Sequence, residues 1–410
     1  MDLSLNTSSP LMMHVDINSC FAIIEQQANP LIRDRPVAVA AYDSPKGIVL
    51  ASSYQAKALG IKLGVSVAQA RQLAPDVVVM TPDPDKYFDA HRRFKEILLR
   101  YTSSVNPKSV DEFIVDFHGS IADQTGQDLV EIGRQIKRDV KREIGEYVTI
   151  NVGLGPNRFL AKLAAGLNKP DGLEVISAEN LREVYARVEL VDLPGINLRY
   201  KGRLNCAGIY TPLEFLEADL PTLKKKVFRS INGYYWYLRL RGHEIDSVDF
   251  DRKSFGQQYA LGNKTDDKDE VNRLLMKLCE KTGRRLRRDN FIAHGINMWL
   301  RFENGSNWSK SARSKSGVYS TQDIYLQAQR LLKGLALPAR VTNISVSVFN
   351  LSPALPAQLG LFDDSRLDNR SLAVAADIVN DKYGEFSIVP AIMANMQDVI
   401  LKRVAFGRTD

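Results

Sequence analysis

Three carboxylates stand where apolar strands would otherwise continue. Asp16 crosses the short run Met12–Ile17 within HVDINSCFAIIE, and Asp111 and Glu112 sit together in SVDEFIVDF. An acid in such a run is costly unless something pairs with it. Three acids gathered at strand ends repel one another unless divalent metal neutralises them, and hard oxygen ligands of this kind suit Mg2+. Two metals held about 3.5–4 Å apart are a standard device for in-line phosphoryl transfer. From residue types alone two readings stand side by side: acids at solvated strand ends, or a metal site.

The elements that must carry these acids alternate along the chain. Strand patterns cover residues 36–42, 48–52, 109–117 and 147–154, the last ending in GPNR. Helical spacing covers 54–59, where Gly60 stops it, then 87–102 and 128–144. This order predicts a mixed α/β core around one covered sheet. Residues 178–242 turn helical and loop-rich, and 243–253 (HEIDSVDFDRK) is polar and aperiodic, which marks a linker. Beyond it a helix over Lys268–Arg288 places Val271, Leu274, Leu275 and Leu278 on one face, with Arg273, Lys277, Arg284, Arg285, Arg287 and Arg288 mostly elsewhere. Strands over 295–302 and 340–351 complete a small α+β unit.

The 410 residues imply two to four domains, and an apolar fraction of 44% with 25% charged is ordinary for a globular chain. Three scattered cysteines, Cys20, Cys206 and Cys279, suggest neither a zinc site nor a disulfide framework and suit a reducing cytosol. No apolar run is long enough to span a membrane, and MDLSLNTSSPLMMH lacks the basic start and apolar stretch of a signal peptide. The formal charge of +7 is unevenly placed: residues 1–250 hold 31 basic and 31 acidic side chains, 251–350 hold 18 and 9, and 351–410 hold 6 and 8. The middle block is therefore an electrostatic footprint for a polyanion, with nucleic acid the first candidate and a solvated basic face the alternative.

The strings HVDINSCFAIIE, SYQAKALGIKLG, SVDEFIVDF and NVGLGPNRFLAKLAAGLNKPDG, in that order, resemble the signature of the Y-family DNA polymerases of the DinB/UmuC type. The resemblance runs over roughly residues 12–350. It implies an α+β multidomain, right-hand polymerase fold: an RRM-like palm (1–20 and 84–176), small fingers (21–83), a helical thumb with a helix-hairpin-helix (177–242), a linker (243–253), an α+β little finger (254–350) and a C-terminal tail (351–410). The implied activity is template-directed DNA synthesis from dNTPs past damaged bases, without proofreading. The alternatives are a non-catalytic homologue acting as a DNA- and clamp-binding adaptor, and a nucleotidyl cyclase built on a similar palm.

The resemblance implies roles residue by residue. Asp16, Asp111 and Glu112 match the catalytic, metal-binding acids, the Ile17 carbonyl completes one coordination shell, and two Mg2+ ions are expected per site, with Mn2+ able to substitute. Phe21 matches the steric gate against ribose; Tyr54, Lys57 and Lys169 match contacts to the incoming triphosphate. Many relatives carry arginine where Lys57 stands, so its grip lacks the bidentate fork. LPGINLRYKGRLNCAGI resembles the thumb hairpin that binds DNA phosphate, with Gly195 in place and Asn197 where a second glycine is usual; asparagine is expected to tolerate the left-handed backbone there. Arg284, Arg285, Arg287 and Arg288 are expected to grip the duplex in the little finger. Gln358, Leu359, Leu361 and Phe362 of QLGLF resemble a bacterial sliding-clamp (β) peptide. Primed template DNA, dNTPs and the clamp are the expected partners of a cytoplasmic monomer with no membrane association.

Overall fold

The structure is a computed structural model that describes residues 4–247, 252–354, 364–396 and 399–400; these form two compact units, one within Met1–Val248 and one within Asp249–Lys402. In the first, β1 (Met12–Ile17) leads into α1 (Cys20–Ala28). A small sheet follows from β2 (Val37–Ala40), β3 (Val49–Ser52) and, after α2 (Tyr54–Ala58) and α3 (Val67–Leu73), β4 (Val78–Met80). Next come α4 (Pro84–Leu98), β5 (Val105–Pro107), β6 (Glu112–Asp116), α5 (Ile121–Thr125), α6 (Leu129–Glu143), β7 (Ile150–Gly155), α7 (Arg158–Leu167) and β8 (Leu173–Val175). Four short helices end the unit: α8 (Leu181–Arg187), α9 (Leu198–Cys206), α10 (Pro212–Glu217) and α11 (Asn232–Leu240).

The main sheet runs β5-β6-β1-β7-β8, so the acid-bearing β1 is its central strand, antiparallel to both neighbours. Alternation divides β1 between two faces. Met13, Val15 and Ile17 enter a core with Phe113 and Val115 of β6, Tyr87 and Phe94 of α4, and Ile136 and Val140 of α6. Met12 instead joins Ile114 and Ala161 of α7, so α7 covers the other face. His14, Asp16 and Glu112 fall on that second face by the same period.

The seating of α7 depends on glycine. A Cβ on Gly153 would lie 2.1 Å from the Ala165 nitrogen and 2.2 Å from the Ala161 carbonyl oxygen, a collision of backbone with backbone. Asn157 caps α7 by accepting from the Leu160 amide at 2.8 Å. On the opposite face α6 begins at Asp128, which accepts from the Val130 amide at 2.8 Å, and buries Leu129, Gly133, Ile136 and Val140 at helical spacing.

The second unit contains β9 (Ser254–Thr265), α12 (Lys268–Arg288), β10 (Phe291–Phe302), β11 (Asn307–Val318), α13 (Thr321–Leu332), β12 (Val341–Pro353) and α14 (Asp364–Tyr383). Its antiparallel sheet has the order β11-β10-β12-β9. Ile296, Met298, Leu300, Ile344, Val346 and Val348 pack beneath Val271, Leu274, Leu275 and Leu278 of α12. On the other face Asn297, Ser309, Ser311 and Ser347 share hydrogen bonds or ladder positions, flanked by Arg301 and Arg313. Two of these four strands, β9 and β11, escape the sequence reading. SFGQQYALGNKT and NWSKSARSKSGV alternate small or polar residues with few strong hydrophobes, so the period-2 signal is weak.

The arginines of α12 also require correction. Arg287 has a side chain only 3% exposed and makes a two-point ion pair with Asp377 of α14, at 2.5 and 2.9 Å. Arg284 donates to Asp381 at 2.7 Å and lies near Asp377 and Glu385. Arg285 donates to the Gly256 carbonyl at 3.3 Å, and Arg288 pairs with Asp289 while remaining exposed. Further along the helix, Arg273 and Lys281 donate to the carbonyls of Ala394 and Ile400, and buried Lys277 donates to that of Met396. Residues 377–396 thus pack on this unit where a tail was expected, and they cover much of the basic helix. Among the described residues no helix is long and apolar enough to cross a membrane.

Candidate active site

Sheet register brings the acids together. Asp16 is paired directly with Glu112, and the Ile17 amide donates to the Asp111 carbonyl at 3.0 Å, so all three acids stand at one end of the β1–β6 pair. A cleft of about 530 Å³ opens there, lined by His14, Asp16, Glu112, Lys162, Lys169 and Arg187 among others.

Each acid has its own neighbour. Lys169 is ion-paired with Asp16. Lys162 donates to both oxygens of Glu112, at 2.9 and 2.8 Å. Asp111 accepts from the Ser109 hydroxyl. Burial pushes the Asp16 carboxyl above the usual range, with Lys169 opposing it; burial likewise raises Asp111, against the Ser109 hydrogen bond. Burial acts upward on Glu112 too, but the hydrogen bonds and charge of Lys162 carry it below the usual range. His14 lies 3.9 Å from Glu112, and burial pushes it down to about 3, which leaves a neutral imidazole. Neither His14 nitrogen has a hydrogen-bond partner among the described residues.

The donor set fits a hard divalent cation. It offers carboxylate oxygens at adjacent strand ends, and the lysines that answer them have exposed side chains. As they stand, the acids are turned to those neighbours, and no three acidic, histidine or cysteine side chains among the described residues already converge on a metal position.

Lysines 162 and 169 owe their places to α7 and to one asparagine. Asn151 pairs in register with Asp16, donates to the Ala165 carbonyl at 2.8 Å and accepts from the Gly172 amide at 3.0 Å. It thereby ties the end of α7 and the turn carrying Lys169 to the strand beside Asp16. Lys162, His14 and Asn151 were missed from the sequence. Nothing in the local pattern singles out Lys162: it sits mid-helix on α7, whereas Lys169 lies on the turn beyond the helix end.

The remaining residues expected to contact the nucleotide border the same strand end. Lys57 donates to the Ser19 hydroxyl at 2.7 Å and sits 4.6 Å from the Tyr54 ring centroid. The Tyr54 hydroxyl donates to Asn18 at 3.4 Å, and Asn18 donates to Thr149 at 2.9 Å. Burial and the neighbouring Lys169 lower Lys57, while burial and then Asp16 push the Tyr54 phenol up to about 12. Phe21 is buried, with its ring stacked on Tyr87. Cys20 is a buried thiol whose pKa burial raises.

In the helical part of this unit Gly195 has φ +95°, as a tight hairpin requires. Asn197 does not take the left-handed backbone expected of it. At φ −97° it is extended, and its side chain accepts from the Tyr200 amide at 3.0 Å to cap α9. Capping, a preferred use of asparagine, replaces the second glycine's conformational role. Gln358, Leu359, Leu361 and Phe362 lie outside the described residues.

Comparisons with known proteins agree on one group. The impB/mucB/samB family matches residues 15–166, and that family's C-terminal domain matches residues 252–361. The chain is similar to DNA polymerase IV of Pelotomaculum thermopropionicum, 30% identical over 96% of this chain and 98% of the relative. DNA polymerase IV of Moorella thermoacetica is 32% identical over 92% and 94%. Among solved structures, a Y-family DNA polymerase chimera of Dbh and Dpo4 superposes with a TM-score of 0.71 at 26% identity, covering 83% of this chain and 98% of that one. An insertion ternary complex of Dbh DNA polymerase gives 0.57 at 25% identity, with the same coverage.

Proposed function

The chain belongs to the impB/mucB/samB family, the Y-family DNA polymerases of the DinB type, and on that premise we propose how its own residues carry out the reaction. It is a DNA-directed DNA polymerase that works in translesion synthesis by divalent-metal-dependent nucleotidyl transfer, and it takes template DNA and dNTPs. The observation that carries the assignment of its site is the Asp16–Glu112 register with Asp111 hydrogen-bonded alongside.

Asp16, Asp111 and Glu112, with the main-chain carbonyl of Ile17, would hold two Mg2+ ions, or Mn2+ in their place. Such ions, when bound, lower the pKa of the primer 3′-hydroxyl and offset charge on the triphosphate and the leaving pyrophosphate. Lys169 and Lys57, close enough to influence one another, supply positive charge for the triphosphate. Tyr54 remains a neutral hydroxyl donor beside them. Phe21, buried with its ring stacked on Tyr87, would floor the sugar site and reject a ribose 2′-hydroxyl, which would be desolvated against an aromatic ring. Lys162 holds Glu112 in the cleft. The acids argue against a non-catalytic adaptor, because all three are present and gathered.

In domain terms, residues 1–20 and 84–176 act as palm, 21–83 as fingers, 177–242 as thumb and 254–350 as little finger. Gly195 and the Asn197-capped start of α9 offer main-chain amides to DNA phosphate. The little finger grips duplex through its open sheet face, with Arg301 and Arg313, and Arg288 remains available on α12. Gln358–Phe362 tethers the enzyme to a sliding clamp, and its fit to the clamp peptide pattern supports this. Primer extension by Asp111→Ala should fall to background; retained synthesis overturns the site. Deleting residues 358–362 should remove clamp stimulation and leave clamp-free synthesis, measured on one primed template.

A further inference from the structure

Glu25 is 1% exposed, in a helix that also buries Cys20, Phe21, Ala22, Ile23, Ile24 and Gln26. A carboxylate so placed must be hydrogen-bonded to be tolerated. It accepts from the Tyr87 hydroxyl at 2.9 Å and from the Lys86 ammonium at 2.8 Å, both from the first turn of α4. Burial raises the Tyr87 phenol well above its ordinary value, so it remains a donor at working pH. The fully buried Tyr87 ring lies under Phe21, with centroids 4.3 Å apart and planes 12° from parallel.

Phe21 and Glu25 are four residues apart, hence neighbours on one face of α1. The contacts close a circuit: Phe21 ring, Tyr87 ring, Tyr87 hydroxyl, Glu25 carboxylate and back along the helix to Phe21. Phe21 cannot sink or tilt unless Tyr87 slides, and Tyr87 cannot slide without taking its hydroxyl from the buried Oε1 of Glu25, Lys86 being bonded to Oε2. A hydrophobe would fill the same space with less desolvation; what a buried carboxylate held by two donors adds is a fixed arrangement. We propose that Glu25 is a positioning residue for sugar selection, setting through Tyr87 the height of the Phe21 ring beneath the incoming nucleotide. This rests on the reading of Phe21 as the steric gate.

The test compares kcat/KM for dNTP and rNTP insertion by the full-length chain on a primed template, each variant assayed equally far below its own Tm. Phe21→Ala is the reference and should lower the dNTP:rNTP ratio most. Tyr87→Phe, which removes one oxygen and keeps the stack, should lower the ratio about three- to tenfold, less than the roughly 10²-fold attached to a full 1 Å misplacement. Glu25→Gln should lower it less, because its amide oxygen still accepts from Tyr87, and Glu25→Leu more. Equal loss with both nucleotides, at an unchanged ratio, would show structural support only and overturn the proposal. Should Glu25→Leu fail to fold, Tyr87→Phe decides. If Phe21→Ala leaves the ratio unchanged, the gate reading itself fails and the proposal falls with it; a moved ratio in Phe21→Ala alone overturns only the role of Glu25.

Discussion

The two units handle charge in opposite ways. In the first, carboxylates line a cleft and are answered by the exposed lysines 162 and 169. In the second, arginines of α12 are answered by acids of α14, and Arg287 in its pair with Asp377 is nearly closed to solvent. An ion pair whose partner is an exposed side chain can exchange that partner for a ligand. A buried two-point pair cannot do so without a large desolvation cost. Accessibility of the counter-ion, more than the number of charges, separates residues available for chemistry from those that hold a fold.

The largest expected effect lies on the available side. Asp16→Asn should reduce primer extension by at least about 10³-fold, the scale of losing a major electrostatic stabiliser, with little change in thermal unfolding. A comparable loss of stability would erase the contrast between the units. On the fixed side, Asp377→Ala leaves Arg287 buried without its carboxylate and should destabilise the second unit by about 3 kcal/mol in denaturant unfolding. Synthesis at low temperature by the folded fraction should persist. The smallest effect sharpens the comparison within the second unit. Arg301→Ala with Arg313→Ala should make log K against log[salt] shallower by about 0.9 per lost phosphate contact, whereas Arg284→Ala should leave the slope unchanged. A slope that responds to Arg284 would mean that α14 gives way to DNA.

The same contrast explains what the sequence revealed. Asp16, Asp111 and Glu112 were legible because each interrupts an apolar strand, and the extent of α12 was legible from its periodicity. The fate of the arginines was not. Arg287 meets its partner ninety residues along the chain, and nothing local in LCEKTGRRLRR distinguishes it from exposed Arg288. Asn197 was identified as a substitute for glycine, but its use as a cap depends on where α9 begins. The buried support behind Phe21 was hidden for a related reason: the donors to Glu25, Lys86 and Tyr87, stand about sixty residues along the chain on α4.

Gly153 bears on how such a site endures sequence drift. Where a helix rests on a strand through side chains, each change of core volume alters the separation and carries every attached group with it. Here α7 meets β7 main chain to main chain, so the offset between the lysines and the acids is a backbone dimension. Neighbouring hydrophobes can exchange size over evolutionary time without resetting that gauge, while any side chain at position 153 resets it at once.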